Sequence, residues 1–153
     1  MFDYKNSPLN RLSEDGHRRY MMQQMFQQQV NISGRKNLMA RITGKKRNLI
    51  SLNREELPAN GRYLGIQIVN INDIRGTENR STEFDNDFLP KEAHIEQRWI
   101  NVASAMVRGV TLPPVDLILA DGVYYVRDGH HRISVMRALG YELLEASVTI
   151  YDE

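Results

Sequence analysis

The hydrophobic positions of this chain keep a helical period at first and later turn into short β-branched runs. Met21, Met22, Met25, Phe26 and Val30 fall along one side of a helix with glutamines between them, and predict an amphipathic helix over about 13–31. Ser13, followed by Glu14 and Asp15, supplies its start signal. Ser33-Gly34 breaks the pattern, so Leu38, Met39 and Ile42 are expected on a second, shorter helix that stops at Gly44. The methionine stripe is expected to pack in a core or an interface.

Residues 49–62, with Pro58, Asn60 and Gly61, read as a connection. Beyond it Ile66, Ile68, Val69 and Ile71 predict a strand, Ile74 to Phe88 a polar irregular stretch, and Ala93 to Val107 a helix with Ile95, Trp99, Val102, Ala103 and Met106 on one face. Leu112-Pro113-Pro114 stops that helix and launches a strand from Val115 to Leu119. Asp121-Gly122 is a two-residue hairpin signal before a strand at Tyr124-Tyr125-Val126. Ile133 to Leu139 reads as a helix closed by Gly140, and Leu143 to Ile150 as the last strand. The expected division is a helical N-terminal extension at 1–48, a connection at 49–64 and an α+β domain at 65–153. Trp99 and Tyr124 sit within apolar patterns and are expected in the core rather than as base-stacking platforms.

Composition narrows the function. With 41% hydrophobic and 25% charged residues a packed core is expected. The absence of cysteine excludes disulfides, thiolate metal sites and cysteine nucleophiles. No apolar run approaches the roughly 20 residues of a membrane span, and the first residues lack a signal peptide's apolar core, so no membrane association is expected and the cytoplasm is the expected location. The net charge of +1 conceals a division: Gly16 to Arg54 holds nine basic residues and no acid, whereas from Glu55 onward nine Lys and Arg face sixteen Asp and Glu. The basic segment has three readings: a solvated surface, a face that docks on acidic residues of this or another chain, or a nucleic-acid contact through Arg41, Lys45, Lys46 and Arg47.

The junction Asp128-Gly129-His130-His131-Arg132 passes from a strand into a helix. The first turn of a helix leaves backbone N–H groups unpaired and carries roughly half a positive charge, glycine leaves room for a ligand, and His131 and Arg132 add donors. This combination points to phosphate. The competing reading pairs Arg132 with Asp128. Consecutive helical residues point about 100° apart, so the two histidines are not expected to share a metal ion.

Here the residues also resemble a family. Asn79-Arg80 with Phe84-Asp85, Leu112-Pro113-Pro114-Val115, Gly129-His130-His131-Arg132 and Ala138-Leu139-Gly140, in this order over about the last 85 residues, are similar to the ParB/sulfiredoxin-like fold. The resemblance implies an α+β core with a small mixed sheet and packed helices. It also implies a nucleoside triphosphate, CTP as in partition proteins or ATP as in sulfiredoxins, with Mg²⁺, held by Gly129, His130, His131, Arg132 and Arg80. His130 stands where sulfiredoxins place the catalytic cysteine, so their sulfinic acid reduction is excluded. Partition proteins carry a Glu-Asn-x-x-Arg box after this helix; Glu78-Asn79-Arg80 imitates it but lies before the helix, and no helix-turn-helix domain is expected within these 153 residues. Slow NTP hydrolysis, phosphotransfer or a nucleotide-gated switch are the implied activities. Asp128 and Glu78 are the candidate general bases, while Glu78, Arg80 and Asp85 are equally readable as solvated loop residues. Self-association into a homodimer through the N-terminal extension is a further expectation.

Overall fold

The structure, a computed structural model, describes residues 8–79 and 82–152, with side chains from Glu14 onward. Its elements follow the order α1 (Pro8–Thr43), β1 (Ile50–Ser51), β2 (Arg62–Asn70), β3 (Ile74–Thr77), α2 (Glu96–Val107), β4 (Val115–Ala120), β5 (Val123–Asp128), α3 (His130–Ala138) and β6 (Leu143–Tyr151). The six strands form one mixed sheet in the order β1-β3-β5-β4-β6-β2. β1, β3 and β5 run parallel, β4 returns antiparallel beside β5, β6 lies parallel to β4, and β2 closes the far edge antiparallel to β6. This is the α+β architecture with a mixed sheet expected from the pattern.

The hairpin between β4 and β5 forms at Asp121-Gly122, whose φ angles of 49° and 75° are the paired positive values a tight primed turn demands. Trp99 joins the helices. It is fully buried, its indole N–H donates to Ser134 Oγ on α3 at 2.9 Å, and Phe26 of α1 packs on its ring at a centroid distance of 5.6 Å. Val115, Leu117, Val126, Ile133, Ala146 and Val148 fill the space between sheet and helices.

Three expectations differ from what is observed. α1 continues through Ser33-Gly34 as one helix of 36 residues. An interior glycine costs about 1 kcal/mol relative to alanine, and tertiary contacts outweigh it. Ser33 is buried against the following domain, where its hydroxyl donates to Asp85. Met21 does not join the buried stripe: it is 51% exposed while Met22 and Phe26 are covered, because one helical step rotates a side chain by about 100°. The stretch expected to be irregular contains β3, and the connection contains β1. Both are too short for periodicity to register, and pairing with β5 and β3 defines them.

The polar stretch after β3 is ordered by one carboxylate. Asp85 is fully buried and accepts from the backbone N–H groups of Asp87 and Leu89 at 2.9 and 3.0 Å, from Ser33 Oγ at 3.3 Å and from the Arg47 guanidinium at 3.0 Å. It is neither a solvated loop residue nor open to a ligand. Arg47 also donates to Asp87 at 2.8 Å, and Lys36 reaches Asp87 at 3.2 Å. Burial pushes the Asp87 carboxyl upward, but Arg47 and Lys36 outweigh it and hold the group below its ordinary value. Removing one partner of a buried ion pair costs about 3–5 kcal/mol. Asp85→Ala is therefore expected to lower unfolding stability in urea by at least about 3 kcal/mol, and Ser33→Ala by only about 1 kcal/mol. Equal small losses for the two variants would refute the central place of the carboxylate.

Candidate functional site

The strand-to-helix junction forms where the sequence places it. Gly129 caps α3 with φ 112° and ψ 21°, a left-handed conformation that disfavours any side chain. A Cβ there would lie 2.7 Å from Val115 Cγ1, so glycine also allows α3 to sit against the start of β4. The first helical bond runs from the Ile133 N–H to the Gly129 carbonyl at 3.0 Å. The N–H groups of His130, His131 and Arg132 therefore precede the intrahelical ladder.

These residues line a cleft of about 430 Å³, together with Asn79, Glu83, Arg98, Val102, Leu112, Pro113, Arg127 and Asp128. Arg132 donates to the carbonyls of Pro113 and Pro114 and to Asp128 Oδ2 at 3.0 Å. It thus braces the Leu112-Pro113-Pro114 turn against α3 and sets one wall of the cleft. The pairing with Asp128, the competing reading of Arg132, is present; the bonds to the proline carbonyls are an addition invisible in the sequence.

The histidines have different surroundings. His130 shares a 2.8 Å hydrogen bond between its Nε2 and the Thr77 hydroxyl, and its ring stacks over Phe84 at 6.4 Å. His131 is 8% exposed, meets Phe84 edge-on at 5.1 Å, and its Nε2 is buried without a hydrogen-bond partner. Burial pushes the His130 pKa down, with Asp128 and Glu83 pulling the other way. Burial also pushes His131 down, reinforced by Arg98 and His130 and opposed by Glu83. Both rings are therefore held toward the neutral form.

The other candidates divide. Asp128 lines the cleft with a side chain 74% exposed beyond its bond to Arg132. Glu78 is clamped between Arg54 and Arg127, the latter at 3.3 Å, and does not line the cleft. Arg80 lies outside the described residues. Among the described residues no three His, Cys, Asp or Glu side chains are grouped to hold an ion. Arg98 and Glu83 were not anticipated. Arg98 is exposed on α2, lines the cleft beside His131 and makes no ion pair among the described residues. Its signal in the sequence is its place one residue before Trp99, on a helix that must pack against α3.

In the basic segment Arg18, Lys36, Arg47 and Arg54 pair with Asp15, Asp87, Asp85 and Glu78, so docking on the chain's own acids accounts for part of the charge. Arg35, Lys45 and Lys46 have no carboxylate partner among the described residues and line, with Lys36 and Arg47, a shallow cleft of about 380 Å³ at the end of α1. Arg41 is exposed nearby. No helix among the described residues is long and apolar enough to cross a membrane.

The chain matches no protein-family model and no curated protein. Among solved structures it is similar to the C2221 form of a Pnob8-like ParB-N domain, with 16% identity and a TM-score of 0.39. The match covers 62% of this chain and 33% of that one, so this chain aligns with about a third of the matched protein's length.

The neutral histidines have a consequence for stability. A base whose folded pKa is lowered binds more protons unfolded, so stability rises with pH through the window between the folded and unfolded values. Thermal stability is expected to fall as pH drops below about 6.5, the unfolded histidine value. His131→Asn should flatten that fall. A wild-type profile level from pH 7 to 5 would contradict the neutral assignment.

Proposed function

We propose that the cleft at the N-terminus of α3 binds the phosphates of a nucleoside triphosphate. The observation that carries this reading is the buried, unpartnered Nε2 of His131 beside the free N–H groups of the α3 first turn. A buried polar atom without a partner costs about 1–3 kcal/mol, and a phosphate oxygen would satisfy it where that nitrogen carries a proton. Arg98 supplies a cation without an ion-pair partner among the described residues, and Gly129 lines the cleft at the helix terminus. Arg132 lines the site and positions its proline wall. The ParB/sulfiredoxin-like motifs support the same ligand class, with CTP or ATP as the first candidates.

Mg²⁺ fits this arrangement only with the phosphates in place. Asp128 and Glu83 both line the cleft, and Mg²⁺ characteristically takes one or two carboxylates with phosphate oxygens and water. Asp128 is the carboxylate exposed at the rim, where it can orient a water or an acceptor hydroxyl for phosphoryl transfer; Glu78, held by two arginines, is not available for that role. The reading thus covers a slow NTPase, a phosphotransferase or a switch without turnover.

Thermal unfolding with ATP, CTP, GTP and UTP, with and without Mg²⁺, tests it. A bound ligand at 100 times its Kd adds about 2.7 kcal/mol, so one triphosphate should raise the melting temperature by several degrees. Arg98→Gln, at an exposed position, should weaken that ligand about tenfold or more. No shift with any triphosphate in folded protein would end this assignment.

A second reading, nucleic-acid binding, is favoured by the unpaired Arg35, Lys45 and Lys46 around the cleft at the end of α1, with Arg41 alongside. Phosphate contacts release counterions, so affinity for a DNA or RNA duplex should fall steeply with salt, and replacing Lys45 and Lys46 with alanine should reduce the logarithmic salt slope by about 2. Arg47, engaged by Asp85 and Asp87, contributes by shaping this cleft. Binding indifferent to salt would discard the second reading.

A further inference from the structure

Thr77 ends β3, and its backbone is held on both sides. Its carbonyl accepts the Leu52 N–H at 2.9 Å, and it lies opposite Val126 of β5, whose carbonyl accepts the Glu78 N–H at 2.9 Å. The residue is 1% exposed, and a β-branched side chain on a fixed strand has little χ1 freedom. The hydroxyl is therefore a fixed point. β5 runs alongside it and passes into α3 through Gly129, which brings His130 to Thr77 across 53 residues of sequence.

Two bonds meet at that hydroxyl. Its oxygen accepts the Asn79 N–H at 3.2 Å, and His130 Nε2 lies 2.8 Å away. The oxygen has lone pairs enough for both, but its proton needs an acceptor, and among the described residues Nε2 is the one within reach. With hydrogen on Nε2 the ring would donate instead, and the hydroxyl proton would be buried without a partner, which is the costlier arrangement. Burial favours the neutral ring, and a neutral imidazole has one N–H and one bare nitrogen, so fixing one fixes the other. Phe84, itself buried, lies nearly parallel to the ring, at 12° and 6.4 Å between centroids, so the ring plane is set as well.

We infer that Thr77 is a positioning residue of the cleft: its hydroxyl donates to His130 Nε2 and confines the ring's hydrogen to Nδ1, so that His130 offers the cleft a donor and no acceptor. The same oxygen fixes the backbone of Asn79, which also lines the cleft. A bare nitrogen in place of Nδ1–H would set a lone pair against the oxygens of an anion, whereas an N–H can bond to them. The use of that donor rests on the phosphate reading of the cleft; the tautomer itself does not.

Nitrogen-15 NMR of the ligand-free full chain at about pH 8, well above the ordinary histidine pKa, reads the tautomer directly, because protonated and bare ring nitrogens differ widely in shift and couple differently to the ring C–H groups. His130→Asn identifies the His130 signals among the four histidines. Wild type is expected to carry hydrogen on Nδ1. Thr77→Val, of nearly the same shape, should bring the Nε2–H form into the population, and Thr77→Ser, which keeps the hydroxyl, should retain Nδ1–H. In titrations with CTP and with ATP, each with Mg²⁺, affinity should fall about fivefold in Thr77→Val and stay near wild type in Thr77→Ser. Hydrogen on Nε2 in wild type, or an unmoved tautomer in folded Thr77→Val, would overturn the inference. So would equal losses of affinity in the valine and serine variants, which would mark Thr77 as part of the scaffold alone. The wild-type spectrum decides the tautomer even where the valine variant does not fold, and a chain that binds neither nucleotide would count against the phosphate reading alone.

Discussion

A carboxylate with no solvent is the constraint around which this molecule is arranged. Asp85 is fully buried, and such a charge persists only if every lone pair and the charge itself are answered. Two backbone N–H groups close the loop around it, Ser33 reaches it from α1, and Arg47 neutralises it from the segment leaving α1. Three stretches distant in sequence are thereby held at one point. The residue before it, Phe84, is equally buried and carries both histidine rings, His130 stacked and His131 edge-on. The same two-residue step thus anchors the N-terminal helix and supports the floor of the candidate site.

The cations of the chain divide by whether they have been given such work. Arg47 serves Asp85, Arg127 and Arg54 hold Glu78, and Arg132 ties the proline turn to α3. Their guanidiniums suit these positions because a planar fork satisfies several oxygens at once. Arg98, Arg35, Lys45 and Lys46 are without carboxylate partners among the described residues, and they fall on two clefts, one at the α3 terminus and one at the end of α1. The charge asymmetry of the sequence is therefore part scaffold and part open surface.

What could be read from the sequence was what is local. Asp121-Gly122 specifies its turn by backbone sterics, Gly129 marks a left-handed cap, and the spacing of Ile95, Trp99 and Ala103 shows which face of α2 is buried. The α+β order from α2 onward follows from these signals. What escaped depends on partners far along the chain. Gly34 reads as a break until Ser33 is seen bonded to Asp85, 52 residues away. β1 has two residues and exists only because β3 lies beside it. Within the site, Gly129, His131, Arg132 and Asp128 were identifiable from one contiguous stretch, whereas Arg98 and Glu83 arrive from a helix and a loop whose packing no local pattern encodes. Glu78 looked like a free base for the same reason, since Arg54 and Arg127 come from other strands and turns.

The contrast between Arg47 and His131 shows what a buried donor in the proposed phosphate site requires. A permanently charged guanidinium in the interior needs a resident carboxylate, and Asp85 is that carboxylate for Arg47. In the proposed phosphate site a further carboxylate paired with a buried cation at the position of His131 would oppose the anion. Histidine avoids the conflict, because it can remain neutral while the site is empty of charge and take up a proton when an anion approaches. Burial, Arg98 and His130 favour the neutral ring of His131 against the pull of Glu83, and its Nε2 is without a hydrogen-bond partner among the described residues. Arg98, exposed and hydrated, can stay charged without a partner. In the proposed site one buried neutral ring, one solvated cation and the positive end of α3 stand against the carboxylates of Glu83 and Asp128, the latter held by Arg132.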